Sequence, residues 1–190
     1  MEYRKFKKID REFSLLGVGT MRFPVLSDGK IDEPQAIAMI RKAIDNGVNY
    51  VDTAYMYHDG NSEVVVGKAL KNGYREKVFL ADKMPLWFAS NEDEMKAIFE
   101  EQFKRLDVEC IDMYLVHNIA SSTWKLAKKF NVLPFLEEQK AKGRIKHIGF
   151  SFHDEFDLFK EVIDSYPWEF CQIQLNYMDA EFQAGVAGLE

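Results

Sequence analysis

Cysteine is scarce in this chain of 190 residues: only Cys110 and Cys171 occur, far apart and outside any Cys-x-x-Cys spacing. They support neither a thiolate-rich metal centre nor a disulfide framework, and read instead as small apolar residues at strand edges. Excess positive charge is also lacking. With 25 Lys and Arg against 31 Asp and Glu, the net charge is −6, and the basic residues are dispersed among acidic ones. Such a chain has no field to draw a nucleic-acid backbone. No apolar run is long enough to span a bilayer, and the opening Met1 to Lys8 is charged where a signal peptide would be apolar. The expectation is a cytoplasmic protein without a membrane partner. Low-complexity stretches and linkers are absent, so residues 1–190 are expected to form a single domain.

What is present is 47% hydrophobic content, enough for a sizeable core, and an alternation of helical and extended patterns from Ile31 onward that signals βα units. Ile37, Ile40 and Ile44 share a helical stripe that Gly47 ends before a strand, Val48 to Asp52. Asn61 to Leu70 reads as helix, closed by Gly73 before the strand Val78 to Lys83. Asn91 to Glu94 resembles a capping box that opens a helix through Leu106, with Met95, Phe99, Phe103 and Leu106 buried. Ile111 to His117 is a strand. Thr123 to Lys142 is helical with a break before Pro134, Ile145 to Ser151 is a strand, and His153 to Ser165 a helix. Phe170 to Asn176 is a strand, and Ala180 to Glu190 begins a further helix. At the start, Lys5 to Lys8 and Glu12 to Leu16 form a short hairpin around Asp10-Arg11, and Leu15-Leu16-Gly17-Val18 leads into the first parallel strand.

Two α/β architectures accommodate this order. A closed (β/α)8 barrel takes eight strands and typically about 250 residues, whereas six parallel strands are legible here, so the chain reads as a TIM barrel truncated after about six βα units. An open doubly wound sheet would be complete at six strands. It calls for a Gly-x-Gly-x-x-Gly turn after its first strand, and Gly17-Val18-Gly19-Thr20 does not continue into one. An unclosed barrel would leave strand edges free for self-association.

Several of these strands end on polar residues, which in a parallel barrel converge on the active-site face. Asp52, Lys83 and His117 are three of them, and Tyr57 follows Asp52 by five residues. A tyrosine hydroxyl ordinarily ionises near pH ~10, so it donates a proton well at neutral pH only with a cation beside the phenolate. Lys83 could supply the charge, Asp52 could keep a buried Lys83 protonated, and His117 could polarise a carbonyl. Each also has a plain structural role: Asp52 with Thr53 capping a turn, Lys83 as a solvated strand end, His117 as a core histidine. Tyr50 and Tyr55 rival Tyr57 on spacing alone. A metal-dependent hydrolase using His58, Asp59, His117 and His153 is a further possibility, though adjacent His58-Asp59 are poorly spaced for one closed site.

The segment Asp52-Thr53-Ala54-Tyr55-Met56-Tyr57 followed by Gly67-Lys68-Ala69-Leu70 resembles the signature of the aldo-keto reductases. Ala81-Asp82-Lys83 resembles that family's lysine strand, and Asp112 to Asn118 its histidine strand. The similarity runs from Gly17 to the last strand. Carried over by position, it implies Tyr57 as general acid, Lys83 lowering its pKa, Asp52 holding Lys83, and His117 orienting the carbonyl. It implies NADP(H) as hydride donor, with NAD(H) as the alternative. Gly19, Thr20 and Met21 match the first cofactor-contacting loop, and Ser151 and Gln172 match the residues that hold the nicotinamide carboxamide, with Asp52 alongside. Ser and Gln can both donate to and accept from an amide.

In the family Asn commonly follows the serine, but Phe152 and His153 stand here. The Ser-Phe-His variant resembles a bacterial branch that often carries a C-terminal iron-sulfur segment, for which two distant cysteines provide no four-thiolate site. The resemblance also puts the main cofactor-phosphate loops after the seventh and eighth strands, beyond Glu190. Met56, Trp87, Phe88 and Trp124, in loops after strands, are the candidate walls of a pocket for a small carbonyl substrate; packing beneath loops is their other reading. A non-catalytic protein that keeps the partial barrel for interaction or regulation is the alternative to the enzyme.

Overall fold

The computed structural model describes residues 1–190. Strands β1 (Tyr3–Phe6) and β2 (Arg11–Ser14) pair antiparallel, with Tyr3 opposite Ser14. The turn spans Lys7 to Asp10, so the hairpin lies slightly N-terminal of its expected arms; Asp10 closes it at φ 48°, a left-handed conformation that a short Asp tolerates.

Six parallel strands then form one sheet in chain order: β3 (Val18–Gly19), β4 (Tyr50–Asp52), β5 (Phe79–Met84), β6 (Ile111–Ile119), β7 (Ile145–Phe152) and β8 (Phe170–Ile173). The sheet curls into a partial barrel, as the alternating pattern predicts, with β3 and β8 as its edges. Parallel neighbours need crossovers, and the helices supply them: α1 (Glu33–Asp45), α2 (Asn61–Ala69), α3 (Glu92–Leu106), the pair α4 (Ser121–Lys129) and α5 (Val132–Ala141), α6 (Phe156–Asp164) and the short α7 (Gly185–Leu189). None is long and apolar enough to cross a membrane.

Helix starts follow local chemistry. Asp32 caps α1 by accepting from Gln35 N at 3.1 Å, and Asn91 caps α3 by accepting from Glu94 N at 2.9 Å. Glu94 returns its carboxylate to Ser90 N rather than to Asn91 N, a capping box displaced by one residue. The expected α3 stripe, Met95, Phe99, Phe103 and Leu106, is buried together with Ile98 and Gln102.

Strand alternation sorts side chains into two layers. Val51, Leu80, Met84, Tyr114, Val116, Ile148 and Phe150 join the large core beneath the helices. Ala81, Met113, Leu115 and Phe170 pack on the concave side, where Ile9 and Phe13 of the hairpin segment fill the lower end and Phe13 lies 4.3 Å from the Phe79 ring.

Several expected boundaries need correction. The long helix breaks at Asn131, which takes φ 48°, and Pro134 sits inside the first turn of α5, where amides have no intrahelical acceptor to lose. Helix α6 starts at Phe156 rather than His153, because the carboxylate of Asp154 is taken up by Ser121 N, Ser121 Oγ and Glu155 N. Strand β8 stops at Ile173, since its one neighbour, β7, ends opposite at Phe152. The last helix is only Gly185–Leu189, entered through Gly185 at φ 53°.

Gly67 shows how closely α2 and α3 approach: a Cβ there would lie 2.3 Å from Leu106 O. Gly67→Ala is expected to cost roughly 1 to 3 kcal/mol, a fall of several degrees in Tm measured by thermal melting. An unchanged Tm would mean that the two helices can separate freely.

Candidate active site

Asp52 ends β4 and Lys83 lies one residue short of the end of β5. The register sets Asp52 opposite Ala81, so Lys83 reaches back across the strand ends. Its Nζ lies 2.5 Å from Asp52 Oδ1 and 2.7 Å from Thr53 O. The lysine side chain is 4% exposed and the aspartate 17%, so this is a desolvated ion pair. The other oxygen, Asp52 Oδ2, accepts from Gln172 Nε2 at 3.2 Å, and the same amide nitrogen donates to Tyr50 Oη at 3.1 Å. Strands β4 and β8 are not neighbours in the sheet, so these bonds cross the concave face. Burial, with the Asp52 charge adding, pushes the Tyr50 phenol well above its ordinary range; Tyr50 stays a neutral phenol.

Tyr57 begins a tight turn, Tyr57–Gly60, in which His58, Asp59 and Gly60 all take positive φ. His58 Nε2 accepts from Phe23 N at 3.0 Å and the His58 ring stacks on Phe23, which ties this turn to the loop after β3. Lys83 Nζ stands 5.1 Å from the centroid of the Tyr57 ring. The His117 ring, on β6, meets Tyr57 edge-on at 6.2 Å and Trp87 at 5.1 Å. Burial, reinforced by the charges of Lys83 and His153, pushes the His117 imidazole down to about 3. It is therefore neutral near pH 7. Its Nδ1 is sealed without a partner, leaving Nε2 as the nitrogen that opens on the cavity.

That cavity, about 150 Å³, is lined by Asp52, Tyr57, Lys83, His117, Ser151 and Gln172 with His153, Ile173 and Gln174. Tyr57 lines it, whereas Tyr50 and Tyr55 do not. Ser151 faces Gln172 in register, and its Oγ accepts from Asn118 N at 2.7 Å, at a residue whose φ of 52° accompanies a register shift between β6 and β7. Phe152 is buried in the outer core, while His153 reaches the cavity.

The loop after β3 is mixed in character. The Thr20 hydroxyl is committed inside the protein, donating to Asp52 O at 2.9 Å and accepting from Ser62 Oγ at 2.8 Å. The space above Gly19 is open and Met21 is exposed. Among the candidate walls, Trp87 packs on His117, and Phe88 and Met56 are exposed on neighbouring loops. Trp124 requires correction. It lies within α4 rather than in a loop, is buried, and donates its indole N–H to Glu161 at 2.7 Å. Helix α4 begins at Ser121, two residues before the expected Thr123, and Trp124 lies inside either span, facing the helix layer.

Sequence reasoning missed Gln174, Ile173 and the inward role of Tyr50. The last was accessible from alternation, because Tyr50 and Asp52 share a face. Of the metal reading, His117 and His153 share the cavity while His58 and Asp59 line a different one, and no group of three or more His, Cys, Asp or Glu side chains is placed to hold a metal ion.

The sequence profile of the aldo/keto reductase family matches residues 15–187. Aldo-keto reductase YhdN of Bacillus subtilis (strain 168) is 33% identical over 198 residues, covering 98% of this chain and 57% of the relative. Methylglyoxal reductase YeaE of Escherichia coli (strain K12) is 36% identical over 122 residues, covering 64% of this chain and 40% of the relative. The structure of an aldo-keto reductase from Klebsiella pneumoniae in complex with NADPH aligns with a TM-score of 0.71 at 27% identity, over 93% of this chain and 59% of that one. The chain thus spans about half the length of the relatives it matches.

Two outcomes follow from the geometry. Asp52→Ala strands a buried ammonium and is expected to cost roughly 3 kcal/mol in urea unfolding, with the added Lys83→Met change recovering part of the loss; strictly additive costs would deny the coupling. Native His117 stays neutral to about pH 3, whereas the unfolded imidazole takes up a proton below about pH 6.5. The unfolded state then binds more protons, and stability falls as pH drops through that window. His117→Gln should flatten the decline measured between pH 6.5 and 4.

Proposed function

We infer that this chain, which belongs to the aldo/keto reductase family, carries the proton-donating half of an NADP(H)-dependent carbonyl reductase in one incomplete barrel domain. The observation that carries the reading is the position of Lys83, with Nζ held against the Asp52 carboxylate at 2.5 Å and standing 5.1 Å from the Tyr57 ring. A positive charge so placed offsets the negative charge that develops on the Tyr57 side chain as it gives up its proton.

Two aromatic donors face the cavity, and their roles separate on charge. His117 is neutral, so it is the hydrogen-bond donor to a carbonyl oxygen through Nε2 and not the acid. Tyr57 is the acid: its O–H bond breaks as the carbonyl oxygen takes the proton. Asp52 holds the Lys83 ammonium in place, and Trp87 with the loop residues Met56 and Phe88 forms the apolar wall. The reverse direction, oxidation of an alcohol, uses the same groups with Tyr57 as base.

The residues fit a nicotinamide. Ser151 Oγ receives a hydrogen bond from Asn118 N, so its own O–H is free to donate to a carboxamide oxygen. Gln172 spends its N–H groups on Tyr50 and Asp52 and leaves Oε1 to accept from a carboxamide nitrogen. When bound, the dinucleotide supplies the hydride; the chain's part is to hold the carboxamide, the carbonyl and the proton. The open space above Gly19 and the exposed Met21 suit the same ligand, while Thr20 acts through Asp52 and Ser62. The Klebsiella relative was solved with NADPH, which supports NADP(H) here.

A second reading has its own observation: the chain spans 57% of the Bacillus relative, and β3 and β8 are unpaired edges. On that reading the partial barrel serves interaction, including self-association through those edges. Fluorescence titration of the 190-residue chain with NADPH separates the two, since saturable binding favours the enzyme and its absence the second reading. In the full-length protein, Tyr57→Phe is expected to lower kcat for a small aldehyde by about 100-fold or more, with NADPH binding retained. Turnover near the wild-type rate would remove Tyr57 as the acid.

A further inference from the structure

Behind Lys83, on the helix side of β5, two carboxylic acids meet in the core. Glu63 on α2 and Asp82 on β5 are both fully buried. Each has one oxygen satisfied: Glu63 Oε2 accepts from Arg105 Nη1 at 2.9 Å, and Asp82 Oδ1 accepts from Lys83 N at 2.8 Å. The remaining oxygens, Glu63 Oε1 and Asp82 Oδ2, are sealed from solvent without a hydrogen-bond partner, and the two buried carboxyls are close enough to shift each other's ionisation, with the Gln102 amide also beside Glu63. Ionised carboxylates only accept. Two facing acceptors in a dry core are satisfied by one proton between them.

We propose that Glu63 and Asp82 share a single proton, carried on Asp82 Oδ2 and donated to Glu63 Oε1, and that this pair is a positioning element for Lys83 and the Tyr57 turn. The surrounding charges assign the proton. Arg105 of α3 donates to Glu63 and also to Glu101 of the same helix, so Glu63 keeps its negative charge. Lys83, the other nearby cation, is committed to Asp52 on the concave side. From α3 and β6 come neutral groups: Tyr114 donates its hydroxyl to Gln102 Oε1, with Arg144 a more distant cation. Tyr55 lies beneath the Arg105 guanidinium. Burial, and next the charge of Glu63, pushes the Asp82 carboxyl well above its ordinary range, and burial raises Glu63 against the pull of Arg105.

The same cluster grips both sides of the cavity floor. Asp82 holds Lys83 N, and Gln102 Nε2 donates to Lys83 O at 2.9 Å, so the lysine's backbone is fixed from behind. Arg105 Nη1 also donates to Tyr55 O at 3.1 Å and lies where a Cβ on Gly60 would stand, 2.6 Å away, which fixes the turn that carries Tyr57. The catalytic meaning of this arrangement rests on the roles proposed for Lys83 and Tyr57; the shared proton does not.

The sign of the pH dependence is definite. Asp82 keeps its proton in the native state while the unfolded carboxyl loses it above about pH 4, so stability declines as pH rises from there until Asp82 itself ionises. Carboxyl ¹³C NMR of the protein tests the proton directly. The Asp82 signal should keep its protonated position at pH 7, where exposed carboxyls have ionised; ionisation alongside them near pH 4 would overturn the proposal. Asp82→Asn supplies a permanent N–H to Glu63 and an acceptor to Lys83 N. It should hold the wild-type Tm at pH 6 and abolish the alkaline decline, whereas Asp82→Ala should lower Tm by about 5 to 10 °C. An asparagine variant as unstable as the alanine variant, or one retaining the wild-type pH slope, would also overturn it. In the full-length protein, reductase kcat should fall with Asp82→Ala and be rescued by Asp82→Asn. If the reductase reading fails, there is no turnover to rescue and the NMR signal is unaffected.

Discussion

The ion pair between Lys83 and Asp52 is the constraint on which the rest of the concave face depends. A lysine side chain 4% exposed has lost the water that would solvate its ammonium, and the Asp52 carboxylate replaces that water from the adjacent strand. That carboxylate then has one oxygen left. Gln172 takes it from β8, the far edge of the sheet, and adds a bond to Tyr50. A flat sheet would hold β4 and β8 four strand spacings apart, roughly 19 Å; the hydrogen bond at 3.2 Å is possible only because the sheet curls. The polar residues at the strand ends are thus part of what defines the curvature that brings them together.

Much of this was legible in the sequence, for identifiable reasons. Parallel strands buried on both faces read as apolar runs, so Asp52, Lys83 and His117 stand out as charged or titratable interruptions near strand ends, and α1 and α3 announce themselves through Asp32 and Asn91. Local patterns do not contain what is decided by distant partners. Asp154 delays α6 because Ser121, on another element, occupies its carboxylate. Asn131 ends a helix by adopting a left-handed backbone, whereas Pro134, the more obvious breaker, is harmless in a first turn. The start of α4, two residues before the expected Thr123, is set by the Thr123 hydroxyl, which accepts from Ala120 N and donates to Asn118 O. The pairing of Glu63 with Asp82 leaves no trace in spacing, since the two belong to different elements and each has an ordinary helical or strand context.

Strand β5 divides the electrostatics between its faces. Lys83 points to the concave side and meets Asp52; Asp82, its neighbour, points to the helices, toward Glu63, which Arg105 holds. Successive residues of one strand therefore face separate compartments, each with its own ion pair, Lys83 with Asp52 on one side and Arg105 with Glu63 on the other. Were Asp82 ionised, a second carboxylate would compete with Asp52 for the influence of Lys83 through only the thickness of the backbone. A neutral Asp82 keeps the charge ledger local: Lys83 with Asp52 on one side, Arg105 with Glu63 on the other.

Burial then acts with opposite sign on the two kinds of group. Removing water disfavours whichever form is charged, so the same dry interior that holds His117 neutral by lowering its imidazole to about 3 holds Asp82 neutral by raising its carboxyl. Lys83 and Asp52 are paired in the same interior, each replacing the water the other has lost. A proton donor facing the cavity needs both conditions at once, a permanent cation beside Tyr57 and uncharged neighbours that do not dilute its field. In this chain the first is provided by pairing and the second by desolvation, and both depend on the tight closure of α2 and α3 over β5.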